Sequence, residues 1–319
     1  MLIHEQDTGS TVPVQIVNAF TVDGNGGNPA GVVLGADALD ESAMQSIAAQ
    51  TGLSETVFVS RSATEGARLD FFTPTRRIAH CGHATIAAFS LLRAEGRIGD
   101  GATSKQTVDG PRRILVRERA VFMEQRAPRY QTQMDWSGVT QPEVLAALRL
   151  TADRLDSRLK PLIADTGNRF MLVGVAEESG LARIAPDQQA IARISEALDV
   201  IGFYVFAVTS GSGLAHATAR MFAPLYGIPE ESATGMAAGP LACLLHDVIG
   251  DRRTHFVIEQ GRFMAEPSVS RILVDLAVKE GRITGLMTGG EGQKVRALRI
   301  APTVPSDGGA HSVSAKQSQ

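Results

Sequence analysis

The chain is poor in cysteine: 319 residues hold only Cys81 and Cys243. Two thiols so far apart exclude a disulfide framework and suit a reducing compartment, so a cytoplasmic protein is expected. An excess of one charge is also lacking. A formal net charge of -3 at pH 7 leaves no electrostatic case for nucleic acid or an anionic membrane surface. The local basic pairs Arg76–Arg77 and Arg252–Arg253 are of the kind that usually mark solvated faces. No apolar run reaches the roughly 18 residues that a membrane-crossing helix needs. The most apolar stretch, "VIGFYVFAV" at 200–208, is short, β-branched and aromatic, and reads as a buried strand. The N-terminal "MLIHEQDTGSTVPV" has no basic region followed by a long apolar run, so no secretory signal is expected.

Two familiar cofactor signatures are missing as well. "GNGGNPAG" at 24–31 has the look of a phosphate loop, but a dinucleotide fingerprint starting at Gly24 needs glycine where Pro29 stands. The Gly-Lys-Ser/Thr of a P-loop is absent, and a tight turn between strands is the simpler reading. His80, Cys81 and His83 do not have a common zinc spacing, and Cys243 with His246 falls inside a helix where cysteine is usually a small core residue. Neither a metal nor another cofactor is expected.

What remains is a soluble globular composition, 44% hydrophobic and 20% charged, long enough for one large domain or two of ordinary size. Strand and helix signals alternate. "VPVQIVNAF" reads as a first strand, and the turn-rich loop after it leads into a strand at Gly31–Leu34. "DESAMQSIAAQTG" has an N-cap acid, helically spaced Met44, Ile47 and Ala48, and a terminating Gly52. "ETVFVS" and "ARLDFFTP" are strands, and "GHATIAAFSLLRAEG" is an apolar small-residue helix. The plan then repeats. "LDFFTPTRRIAHCGHATIAAFSLL" is echoed by "ARMFAPLYGIPEESATGMAAGPLACLL": Phe72 and Pro74 correspond to Phe222 and Pro224, and Gly82 to Gly235. Two related lobes are expected, 13–132 and 133–302, between flexible tails at 1–12 and 303–319.

Chemistry concentrates where the repeat places glycine at a helix start. "HCGHAT" and "SATGMAAG" each open a helix whose free N–H groups can approach a ligand closely, and a carboxylate is the natural occupant. One such motif alone is ordinary capping. Two that face a common cleft can also hold the charge that develops when a carbon beside a carboxylate loses its proton. Glu55, in "TGLSETVFV", puts one acid between Ser54 and Thr56 at the start of an apolar strand. An exposed strand-end acid is the plain reading; a general base held away from water is the other.

The motifs "NAFT" (18–21), "GNPAGVV" (27–33), "MQSIAAQTGLSETVFV" (44–59), "FFTPTRRIAHCGHATIAAFSLL" (71–92) and "FAPLYGIPEESATGMAAGPLA" (222–242) resemble the PhzF-like (phenazine biosynthesis) family. The family shares its fold with diaminopimelate epimerase. The resemblance implies an α+β fold of two pseudo-symmetric lobes, each a curved, mostly antiparallel sheet around a central helix. It also implies a homodimer that needs no cofactor. Carried residue by residue, it makes Glu55 the proton-transfer base, with His83 and Glu231 as further catalytic residues. Asn28, Gly82, Thr85, Thr234, Gly235 and Met236 then become substrate-binding residues.

The second-lobe motif departs from the family: Met236 replaces the usual Ser, Ser232 replaces Pro, and Glu231 is one methylene longer than Asp. In the first lobe, Arg77 occupies a position often acidic and His80 one often apolar. Two-thiol racemisation is disfavoured, since Cys81 has Thr234 where a second thiol would stand. The expected function is an isomerase or epimerase moving a proton between carbons of a small cyclic or amino-acid-like carboxylate in secondary metabolism. A dehydratase or lyase acting on a hydroxylated amino acid, and a non-catalytic carboxylate-binding protein, are the alternatives.

Overall fold

The computed structural model describes residues 11–209 and 214–303. Its first half runs β1 (Val12–Thr21), β2 (Asn28–Leu34), α1 (Glu41–Thr51), β3 (Thr56–Ser60), β4 (Ala67–Phe72), β5 (Arg77–Ile78), α2 (Gly82–Ala94), β6 (Gly101–Thr107), β7 (Gly110–Arg117) and β8 (Ala120–Arg126). There follow β9 (Arg129–Gln131), α3 (Gln141–Ala147), β10 (Leu162–Asp165), β11 (Arg169–Val175), α4 (Glu178–Ala182), α5 (Gln188–Leu198) and β12 (Gly202–Val208). The chain ends with β13 (Ala217–Ala223), β14 (Ile228–Glu231), α6 (Gly235–Leu244), β15 (His255–Gln260), β16 (Ser270–Lys279) and β17 (Arg282–Ile300). The helix signals act as expected at α1. The Asp40 side chain accepts from the Ala43 N–H at 2.8 Å, and Gly52 leaves the helix in the left-handed conformation.

Strand pairing explains why two helices have no wet face. β1–β2, β3–β4, β6–β7 and β7–β8 pair antiparallel, whereas β2–β3 and β4–β6 pair parallel. Antiparallel β8–β17 and β17–β1 pairs close the circuit into a barrel. Inside it, α2 touches β1, β2, β3, β8 and β17, and every residue from His83 to Leu92 is buried. The same order of pairings recurs over β10–β11, β11–β12, β12–β13, β13–β15, β15–β16 and β16–β17. There α6 packs against β10, β15, β16 and β17, buried along most of its length.

β17 serves both sets. Gly285–Glu291 pairs with β8, and Glu291–Ile300 runs back along β1. The stretch expected to close the second lobe is thus hydrogen-bonded to the first strand of the chain.

Three local differences from expectation have simple causes. The second strand begins at Asn28, because Asn28–Val32 pairs with Gln15–Ala19. β1 already includes Val12, the last residue of the expected N-terminal tail, while 1–10 and 304–319 lie outside the described residues. Arg77 is not on a solvated face: it is half-buried, paired to Asp70 and, at 3.0 Å, to Glu41. Asp70 is 5% exposed and needs a cation to be tolerated there.

Candidate active site

The two buried helices begin side by side. A Cβ added to Gly82, the first residue of α2, would lie 3.2 Å from the Met236 Cγ at the start of α6. The start of α6 is itself shaped by Phe20, whose ring would lie 2.8 Å from a Cβ at Gly235. Phe20 holds a positive φ of 64°, unusual for a bulky residue, so the end of β1 is turned sharply to bring the ring there. A cleft of about 980 Å³ opens beside both helix starts, lined among others by Glu55, Cys81, His83, Glu231, Thr234 and Met236. The first N–H groups of each helix have no partner within the helix.

Glu55 sits just before β3 and is 7% exposed. Its Oε2 accepts no hydrogen bond, although the His83 Nε2 stands 3.4 Å away, itself unpaired for want of alignment. The other ring nitrogen of His83 lies 3.4 Å from the Glu231 Oε1 and 3.5 Å from the Cys81 Sγ. One imidazole therefore bridges an acid beside β3 to an acid on β14. Burial alone would lower the His83 pKa. The Glu55 charge and the hydrogen bonds to Cys81 and Glu231 oppose burial and hold it above the ordinary value. Burial pushes the Cys81 thiol up, so it stays protonated at neutral pH.

Glu231 is held from several sides. Asn28 Nδ2 donates to its Oε1 at 2.9 Å and to the Ala233 carbonyl at 3.0 Å, and the Thr234 hydroxyl donates to its Oε2. Gln260, on β15 and fully buried, was not expected from the sequence. Its Nε2 donates to the Glu231 carbonyl at 2.7 Å and to Thr234 Oγ1 at 3.1 Å; its Oε1 accepts from the Thr234 N–H and the Tyr204 hydroxyl, each at 3.0 Å. A lone glutamine late in the chain carries no motif, and only the pairing of β13 with β15 brings it here.

Two expected substrate-binding residues take other places. Asn28 holds Glu231 rather than lining the cleft. Thr85 is fully buried behind it: its hydroxyl donates to the Cys81 carbonyl at 2.6 Å and accepts from Lys105 at 2.8 Å. Gly82, Thr234, Gly235 and Met236 do line the cleft.

Metal-type side chains meet in one place among the described residues, where ligand atoms of Glu55, Cys81 and His83 lie within 4.8 Å of one another. His80, the residue the sequence set beside Cys81 and His83, turns instead to Lys105. Glu55 and Cys81 approach opposite nitrogens of the His83 ring.

An enclosed acid, an imidazole between two carboxylates and two neighbouring helix starts thus share one cleft. The phenazine biosynthesis-like protein family model matches residues 17–293, and the chain belongs to this PhzC-PhzF family. An uncharacterized isomerase of Deinococcus radiodurans is 36% identical over 285 residues, covering 86% of this chain and 90% of that protein. The trans-2,3-dihydro-3-hydroxyanthranilate isomerase of Pseudomonas aeruginosa is 31% identical over 238 residues, covering 71% and 77%. The crystal structure of a PhzF-family phenazine biosynthesis protein of Bacillus anthracis superposes with a TM-score of 0.81 at 25% identity, covering 91% of this chain and 99% of that one.

Proposed function

We propose that the protein is a cofactor-independent isomerase that moves a proton between carbons of a small cyclic or amino-acid-like carboxylate. The observation that carries this reading is the unpaired, buried Oε2 of Glu55, next to His83 and on the wall of the cleft. A buried carboxylate oxygen without a donor is costly unless a ligand completes it.

In this reading the substrate carboxylate lies against the N–H groups that open α2 and α6. Glu55 takes a proton from a neighbouring carbon, and the C–H electron pair spreads toward the carboxylate. The helix starts and the protonated His83 ring stabilise that charge. Glu55 then returns the proton to a different carbon, so no group is consumed. Glu231, held by Asn28 and Thr234, fixes His83 from the other side. The two sets of strands around α2 and α6 are, in this reading, the two pseudo-symmetric lobes, sharing β17, and the working form is a cytoplasmic homodimer.

The dihydro-hydroxyanthranilate of the Pseudomonas relative is not favoured as the substrate here. Met236 presents a thioether where a polar group on that side of the ring would seek a donor.

Incubating the protein in D₂O with a panel of cyclic and amino-acid carboxylates tests the reading by NMR. Deuterium should appear at a carbon of at least one acid and vanish with Glu55→Gln. No carbon-bound deuterium across the panel would favour a non-catalytic binding protein instead.

A further inference from the structure

We infer that His80 is a further substrate-binding residue, presenting a fixed Nε2–H donor to an oxygen the substrate carries beyond its carboxylate, with Lys105 as the positioning residue behind it. This inference rests on the isomerase reading above and narrows its substrate class.

His80 precedes Cys81 in the loop leading to α2 and lines the main cleft. It also lines an adjoining cavity of about 320 Å³. Met236 and Asn168 border both spaces too, so His80 belongs to the partition between them. Behind it stands Lys105 on β6, fully enclosed, with its Nζ 2.9 Å from His80 Nδ1 and 2.8 Å from Thr85 Oγ1.

The direction of these bonds follows from proton counting. The Thr85 hydroxyl proton is committed to the Cys81 carbonyl, so its oxygen must accept from Lys105. Burial holds the Lys105 pKa well below the ordinary lysine value, yet even a neutral amine that donates to Thr85 keeps a second N–H for His80 Nδ1, and that arrangement leaves the single ring proton on Nε2. Among the described residues no side chain or backbone group bonds that Nε2, it is not among the enclosed unpaired atoms, and His80 lines both cavities. Phe71 holds the ring edge-on at 6.2 Å, and the same Phe71 face lies 5.1 Å from Lys105 Nζ. Burial above all keeps the His80 pKa well below its ordinary value, so the ring is neutral at pH 7. A neutral imidazole locked in one tautomer is a directional donor, suited to a hydroxyl or carbonyl oxygen near the substrate carboxylate.

Two stable aromatic acids that differ by one hydroxyl, anthranilate and 3-hydroxyanthranilate, probe this by calorimetric titration. The parent should bind the hydroxylated acid tighter by about tenfold, the usual size of one well-made hydrogen bond to a buried donor. His80→Phe should erase the difference. His80→Gln, whose amide nitrogen can occupy the Nε2 position, should retain part of it. ¹⁵N-histidine NMR should assign the His80 proton to Nε2 in the parent, and Lys105→Met should shift the ring toward a tautomer mixture.

Equal affinities in the parent, an equal loss of both in His80→Phe, or an Nδ1-protonated ring in the parent would each overturn the inference. Carbon deuteration in D₂O without any hydroxyl preference removes the role of His80 and leaves the isomerase reading intact. Failure of both acids to bind, together with no deuteration of any carboxylate, removes both.

Discussion

Gln260 is the residue on which the second-half side of the site hangs, and Gln260→Leu is its most informative perturbation. The glutamine is fully buried and makes four hydrogen bonds, to the Tyr204 hydroxyl, the Thr234 N–H, the Thr234 hydroxyl and the Glu231 carbonyl. Leucine approximates the volume and offers none of them. The Thr234 hydroxyl keeps Glu231 as a partner, so three groups are left unpaired in a dry interior. At about 1–3 kcal/mol each, and with some relaxation, the loss is about 3–6 kcal/mol. For a domain of this size that lowers the melting temperature by about 6–12 °C. Turnover should fall on the order of tenfold to a hundredfold, because Glu231 and the start of α6 lose their common anchor. Tyr204→Phe is the control: it removes one donor and leaves Gln260 bonded to Thr234, for about 1 kcal/mol. Calorimetric melting of the two variants against the parent measures the difference. A Gln260→Leu protein that melts within about 2 °C of the parent would refute the claim that this network is dry and fully paired.

Glu55→Gln should fold normally and lose at least about 100-fold in turnover, the usual worth of a general acid–base group; near-normal deuterium exchange in this variant would sink its role as base. His83 has a folded pKa raised above its unfolded value, so its contribution to stability is complete below about pH 6.5 and is lost as pH climbs through the folded value. Activity that needs the imidazolium should fall over the same alkaline limb, and pH profiles of melting and turnover should lose that limb in His83→Gln. Met236→Ser should improve affinity for the dihydro-hydroxyanthranilate acid by about tenfold, the worth of one regained hydrogen bond. Efficient turnover of that acid by the parent would show the substitution to be neutral.

The readable parts of this sequence were those in which local chemistry and long-range structure agree. Asp40 and Gly52 bound α1 as their residue types predict, and "GFYVFAV" is a strand because a β-branched, aromatic run has few other uses. Glu55, His83 and Glu231 were legible through the resemblance, and the folded chain brings them to one imidazole. What escaped was whatever depends on partners far along the chain. Thr85 looked like a ligand-binding hydroxyl because it follows His83 in the motif, but helical periodicity turns it toward Lys105 on β6. His80 had no role in the sequence reading beyond an uncommon zinc spacing with Cys81 and His83, and the same lysine is what meets its Nδ1. Gln260 had no local signal at all, since its importance comes from β15 lying parallel to β13.

The shared strand β17 also fixes an order of events during synthesis. The barrel around α2 is closed by pairing Thr21 with Glu291 and Val12 with Ile300, so its first strand waits for the last residues described. Until the ribosome has made them, β1 has one open edge and α2 lacks part of its wall. At ordinary elongation rates that interval lasts roughly ten to thirty seconds after β8 emerges. The nascent first half must therefore survive as an unclosed sheet, prone to pairing with other chains, and a chain cut short before residue 291 would leave that edge open for good.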